Sequence, residues 1–152
     1  QEALQAAGKI SDSYECAYTL ATLAPQLPSD LIPSALKAAG KISYSYECAY
    51  ALAALAPHLP IGLWRKLVND ALVLQDAKLT SALASRWDEY CHTEHLDVAL
   101  ELHKLLWAHR KMRRSRFLGI ISAFAPIIHL LGGDQAIQDI AKAILRTAEW
   151  WP

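Results

Sequence analysis

Residues 3–28 read ALQAAGKISDSYECAYTLATLAPQLP, and residues 35–60 read ALKAAGKISYSYECAYALAALAPHLP. The match extends over 3–34 and 35–66 without a gap, at a period of 32, with 22 of the 32 positions identical. Chance does not produce this, so the segment was duplicated. A period between about 20 and 50 residues marks a stacked array, in which each unit leans its apolar face on the next.

Each unit predicts two helices. The first spans roughly 3–9 in one copy and 35–41 in the other, with Ala3, Ala7 and Ile10 on one face. Ser11 or Asp12 supplies a capping side chain, and a second helix runs over about 13–24. Pro25 and Pro28 close the unit, because proline cannot continue a helix. Ser29 is placed to cap the next helix, and Pro33 fits its first turn. The second helix is apolar almost all round. Only Glu15, Thr19 and Thr22 share a narrow polar stripe. Such a helix packs on several sides, as a middle helix of a layered array does.

Beyond residue 66 the repeat decays. Residues 64–74 read as a first helix and 76–90 as a second, after which Thr93 caps a helix through Leu96, Leu100, Leu105 and Trp107. SRFLGIISAFAP, residues 115–126, mirrors ECAYTLATLAP at 15–25 and continues past its proline to Leu131. Gly132-Gly133 stops that helix, and Asp134 caps a last one with Ile137, Ile140, Ala141, Ile144 and Ala148 on one face. The expected fold is all-α: an α-solenoid of antiparallel helix pairs, HEAT-, armadillo- or TPR-like, with about nine helices. It forms one domain over 1–152: repeats at 3–34 and 35–66, diverged repeats over 67–133, and a capping helix at 134–152.

Composition agrees. Hydrophobic residues make up 53% and charged residues 20%, more apolar and less charged than an average soluble domain. Some apolar surface is therefore expected to meet a neighbour. Net charge is zero but unevenly spread. Residues 1–101 carry 7 basic and 12 acidic groups, a net of −5; residues 102–133 carry 6 basic and none acidic. Cys16, Cys48 and Cys91 are odd in number and not closely spaced, so they do not read as a disulfide framework. Equivalent points on stacked repeats lie roughly 8–10 Å apart, beyond the Cα separation of about 7 Å that a disulfide spans. Free thiols in a reducing cytoplasm are the simpler reading. The chain opens on Gln1 with no signal-peptide pattern, and is expected to be part of a longer protein. The apolar stretch 117–131 contains Ser122, Pro126 and His129, falls short of the roughly 20 residues a span needs, and reads as a buried core helix.

The unit A-L-x-A-A-x-x-I-x-x-x-Y-E-x-A-x-x-L-A-x-L-A-P-x-L-P resembles the C-terminal helical repeats of large bacterial signalling ATPases, the STAND-type proteins with NACHT or similar modules, common in cyanobacteria. The ending AFAPIIHLLGGDQAIQDIAKAILRTAEWWP is similar to the closing segment of such chains. The resemblance covers nearly the whole chain, and its motifs are structural. It implies a region that senses a ligand or partner and restrains an ATPase lying upstream. No G-x-x-x-x-G-K-[ST] occurs here.

Several surfaces are candidates. Tyr14, Glu15 and Tyr18 recur as Tyr46, Glu47 and Tyr50, a ladder that either lines a groove or packs at repeat junctions with hydroxyls at the edge. The copies differ at Asp12/Tyr44, Thr19/Ala51 and Thr22/Ala54. The last two fall on the stripe of Glu15 and Glu47, which therefore reads as the part least constrained by packing and the preferred contact surface. The run 109–116 holds five cations, Arg110, Lys111, Arg113, Arg114 and Arg116. It reads as a solvated connection, or alternatively as a phosphate or acidic-partner patch. Trp107 and Phe117 flank it at core spacing. Cys91, His92 and His95, with His103 beyond, are metal-ligand types but lack a recognised ligand frame, so no metal is assigned. Trp150 and Trp151 are read as sealing the end of the core. No G-x-S-x-G, paired-carboxylate motif or glycine-rich phosphate loop is present, and no catalytic residue or cofactor is assigned. The expected role is a non-catalytic scaffold that binds a protein or peptide and contacts upstream domains of its own chain. Nucleic acid is the alternative ligand, and no membrane is expected.

Overall fold

The computed structural model describes residue 6 and residues 10–147. The described residues are helical, with no strand among them. They form two compact units, residues 1–85 and 86–152. Apart from Ala6, the expected first helix at 3–9 lies outside the described residues, as does the Trp150-Trp151 pair.

In the first unit the helices are α1 (Ser13–Leu23), α2 (Ile32–Ala39), α3 (Ser45–Leu55), α4 (Trp64–Leu74) and α5 (Ala77–Ala82). Asp12 caps α1 by accepting the Glu15 N–H at 2.8 Å. At the equivalent position Tyr44 has no such side chain, and α3 starts without a side-chain cap. Both helices tighten into a 3₁₀ turn over Ala24–Gln26 and Ala56–His58, where Pro25 and Pro57 end them. Pro33 sits in the first turn of α2, but that helix begins at Ile32 behind Leu31, without a cap from Ser29.

Packing follows the duplication. α1 lies against α3, and α3 lies against α2, α4 and α5. Cys16, Ala17, Leu20 and Ala24 are buried, and so are their counterparts Cys48, Ala49, Leu52 and Ala56. The register continues further than the sequence identity. Adding 32 to Ile32, Ala35, Leu36 and Ala39 gives Trp64, Leu67, Val68 and Ala71, and all eight are buried. The same shift takes Asp12 and Tyr44 to Asp76, which caps α5 through the N–H groups of Lys78 and Leu79. A third copy is thus present in register although its residues have changed.

The helix expected over 76–90 is instead broken. A 3₁₀ turn, Leu83–Arg86, separates α5 from α6 (Trp87–Thr93), and the boundary between units falls within it. The second unit holds α6, α7 (Val98–Ala108) and α8 (Arg114–Thr147). Asp97 rather than Thr93 caps α7, accepting the Leu100 N–H at 2.7 Å. Thr93 closes α6 and bonds back to the Glu89 carbonyl. The core gathers Trp87, Tyr90, Cys91, Leu102, Leu105, Ile120 and Phe124, with Trp87 edge-on to Phe124 at 5.4 Å.

α8 is 34 residues long and runs through Pro126. Gly133 interrupts it with φ 63° and ψ −162°, so two helical arms meet there at a kink. This conformation is open to glycine and strained for other residues. His129 Nε2 lies 3.0 Å from Asp134 Oδ1 across the kink. The segment 117–131 is not the short buried helix expected. Residues 114–146 are long and apolar enough to cross a membrane by length and composition, and only 22% of their most apolar window is buried. Ile120, Phe124, Ile127 and Ile128 form the inward stripe, while Leu130, Leu131 and Leu145 are exposed.

Candidate recognition groove

Three of the four ladder tyrosines do not pack into the repeat junction; Tyr50 is half-buried. Tyr14, Tyr18 and Tyr46 are 68%, 57% and 63% exposed, far above what core packing leaves. At helical spacing of four, Tyr14 and Tyr18 stack nearly parallel on α1, with ring centroids 6.4 Å apart and planes 13° apart. Facing them from α3 are Tyr46, Glu47 and Tyr50. With Ala17 as the floor they enclose a cavity of about 210 Å³. Glu47 is half-buried, and its carboxylate is the one formal charge in the lining.

A wider groove of about 570 Å³ continues from this cavity and shares Tyr18 and Tyr50 with it. Its walls are Ala21 and Thr22 of α1, Ala53 and Ala54 of α3, and Lys78 and Ser81 of α5. Lys78 Nζ lies over the Tyr50 ring, 3.9 Å from its centroid, a cation–π contact. The Thr22 hydroxyl donates to the Tyr18 carbonyl at 2.9 Å, so it lines the groove with its donor already committed.

The preferred stripe therefore lies only in part on the groove. Tyr14, Tyr18, Ala21 and Thr22 carry the groove face of α1; Glu15 is exposed beside it and Thr19 is half-buried. On α3 the stripe turns toward α1. Ala51 is fully buried there, which explains the small apolar residue opposite the threonine of the first copy. Of the varying pairs only Thr19/Ala51 marks a change in packing; Asp12, Tyr44 and Thr22 are exposed and Ala54 is half-buried. Of the six candidate contact residues, Tyr14, Tyr46, Glu47 and Thr22 reach the groove, whereas Glu15 and Thr19 do not line it.

The basic run is likewise divided. His109 is fully buried at the end of α7, with Nδ1 2.7 Å from the Leu105 carbonyl, and belongs to the core. Arg110 folds back over the Trp107 ring at 4.3 Å and donates to the Trp107 carbonyl. Trp107 is itself exposed rather than core, and stacks on His103. Arg114 is half-buried, which leaves Lys111, Arg113 and Arg116 open. The first turn of α8 carries no acidic residue. Its cations therefore sit at the positive end of the helix dipole, where they repel.

The three thiols are buried and unbridged. Burial raises each above the usual thiol range, and Asp70 adds to the effect at Cys48. Cys91 is pushed up to about 11, first by burial and then by Glu101, Asp88 and Asp97. A protonated thiol is a poor nucleophile and a poor metal ligand. His92 points to Asp88, and among the described residues no three His, Cys, Asp or Glu side chains converge as a metal site would require. Arg86 grips Glu89 through two bonds of 2.8 and 2.7 Å, which hold that carboxyl below its ordinary range. This pair braces the start of α6.

No family model, curated protein or solved structure matches this chain.

Proposed function

We propose that this chain is a non-catalytic helical-repeat scaffold, an α-solenoid of stacked helix pairs, that holds an extended segment of a partner protein. The observation carrying this reading is the tyrosine-walled groove where the second helices of successive copies meet. Exposed tyrosines are costly to leave bare and well suited to recognition, since a large rigid ring binds with little loss of side-chain freedom. The groove is lined from three helices and carries both signs of charge, Glu47 in the cavity and Lys78 in the wider part. An extended peptide with a cation and an anion in the matching order complements it.

The resemblance to the C-terminal regions of STAND-type signalling ATPases supplies the setting: a cytoplasmic protein whose upstream ATPase responds to partner binding. Panning a phage-displayed peptide library on the whole chain is expected to select a common motif. Replacing both Tyr14→Ser and Tyr46→Ser should abolish capture of the selected phage while the helical circular dichroism is retained. Selection of no motif, or equal capture by the double variant, contradicts the reading.

A second reading rests on Lys111, Arg113 and Arg116, three open cations at a helix end that repels them. They suit nucleic-acid phosphate. Oligonucleotide binding that falls steeply between about 50 and 200 mM salt would favour this reading.

A further inference from the structure

We propose that the pocket between Tyr14, Tyr18, Tyr46 and Tyr50 is a cation subsite, taking the ammonium or guanidinium end of a lysine or arginine side chain of the bound segment. The inference rests on the peptide reading above and names the residue the groove selects.

Three observations carry it. The walls are aromatic. A ring face carries negative quadrupole charge, and several rings around one small space attract an organic cation. At about 210 Å³ the cavity is smaller than a site for a drug-sized ligand and suits one side-chain end. Long basic side chains also bury their methylene stems on apolar walls such as Ala17 here.

The second observation is Glu47. It is half-buried in the cavity wall, and its carboxylate makes no ion pair with any described residue. A carboxylate beside aromatic faces supplies the counter-charge that a bound cation needs.

The third comes from the repeat register. Positions 14, 46 and 78 are equivalent, and they hold Tyr, Tyr and Lys. Where the third copy meets the second, Lys78 places its ammonium on Tyr50 at 3.9 Å. The position equivalent to Glu47 is there Leu79, which is buried. At that junction the chain supplies its own cation and has no acid at the matching position. At the junction of the first two copies the acid is present and no basic residue lines the cavity; Lys78 covers the Tyr50 ring from the wider groove. The two junctions are the same device, filled in cis at one and open at the other.

The test uses the whole chain labelled with 13C in the tyrosine rings. N-acetyl-lysine methylamide and its neutral counterpart N-acetyl-norleucine methylamide are titrated separately. The lysine compound is expected to shift the ring resonances of Tyr14, Tyr18, Tyr46 and Tyr50, and the norleucine compound to leave them in place. Glu47→Gln should weaken the lysine effect about threefold, and Tyr46→Leu should remove it with the circular dichroism unchanged. Equal shifts from both compounds, or none from either, overturn the cation subsite. The library experiment above separates the two claims. Groove-binding peptides without Lys or Arg would sink the cation subsite and leave peptide recognition standing. Lysine-specific shifts without any selected peptide would do the reverse.

Discussion

At the scale of single residues, the same side chain plays different parts according to which neighbour its helix meets. Glu15 and Glu47 share the local sequence Ser-Tyr-Glu-Cys-Ala-Tyr, yet only Glu47 lines the cavity, while Glu15 is exposed. His109 belongs to a basic run in sequence and to the core in space. Cys91 gives a test of burial at this scale. Its thiol is fully buried, with a pKa of about 11 against the ordinary 9.0. Between those values the unfolded chain has lost the proton and the folded chain keeps it. The fold therefore binds more protons than the unfolded state, and stability falls as pH rises through this window. Urea unfolding at intervals from pH 8 to 11 should show this decline, and Cys91→Ala should flatten it relative to the parent. An equal slope in both proteins would mean that the thiol is not protected.

At the scale of elements, much was legible and the failures have definite causes. Pro25, Pro57 and Asp12 act locally, so the ends of α1 and α3 could be read from the chain. The third copy was legible in outline, since α4 falls on the first helix expected at 64–74, but its residue-by-residue register was not. Trp64, Leu67 and Val68 keep the burial of Ile32, Ala35 and Leu36 without keeping their identity, because packing specifies an apolar surface and not a residue. The groove face was legible in part: Tyr14, Tyr46, Glu47 and Thr22 line it, whereas Glu15 and Thr19 do not. A helix apolar nearly all round does not reveal on which side its neighbour lies. The break at Leu83–Arg86 carries no glycine or proline to announce it. The Gly132-Gly133 interruption was legible, because φ near 63° at Gly133 is a glycine conformation. Gly133→Ala is expected to cost about 1–3 kcal/mol in urea unfolding. A Cβ at the neighbouring Gly132 would meet the Ala136 Cβ at 2.7 Å, so Gly132→Ala should also destabilise. Unchanged stability in both variants would mean that α8 has no kink to protect.

At the scale of the whole molecule, the claim is a division of labour between two faces of the second helices. One face buries Leu20 and Leu52 in the core; the other, with Tyr14 and Tyr46 exposed, is the face proposed for a partner. The measurement that separates these is urea unfolding of four single variants under one set of conditions. Leu20→Ala and Leu52→Ala are each expected to lose about 2–5 kcal/mol. Tyr14→Ser and Tyr46→Ser should stay within about 0.5 kcal/mol of the parent. Tyrosine variants as damaging as the leucine variants would contradict the account, because the rings would then be part of the packing and no groove would remain to offer.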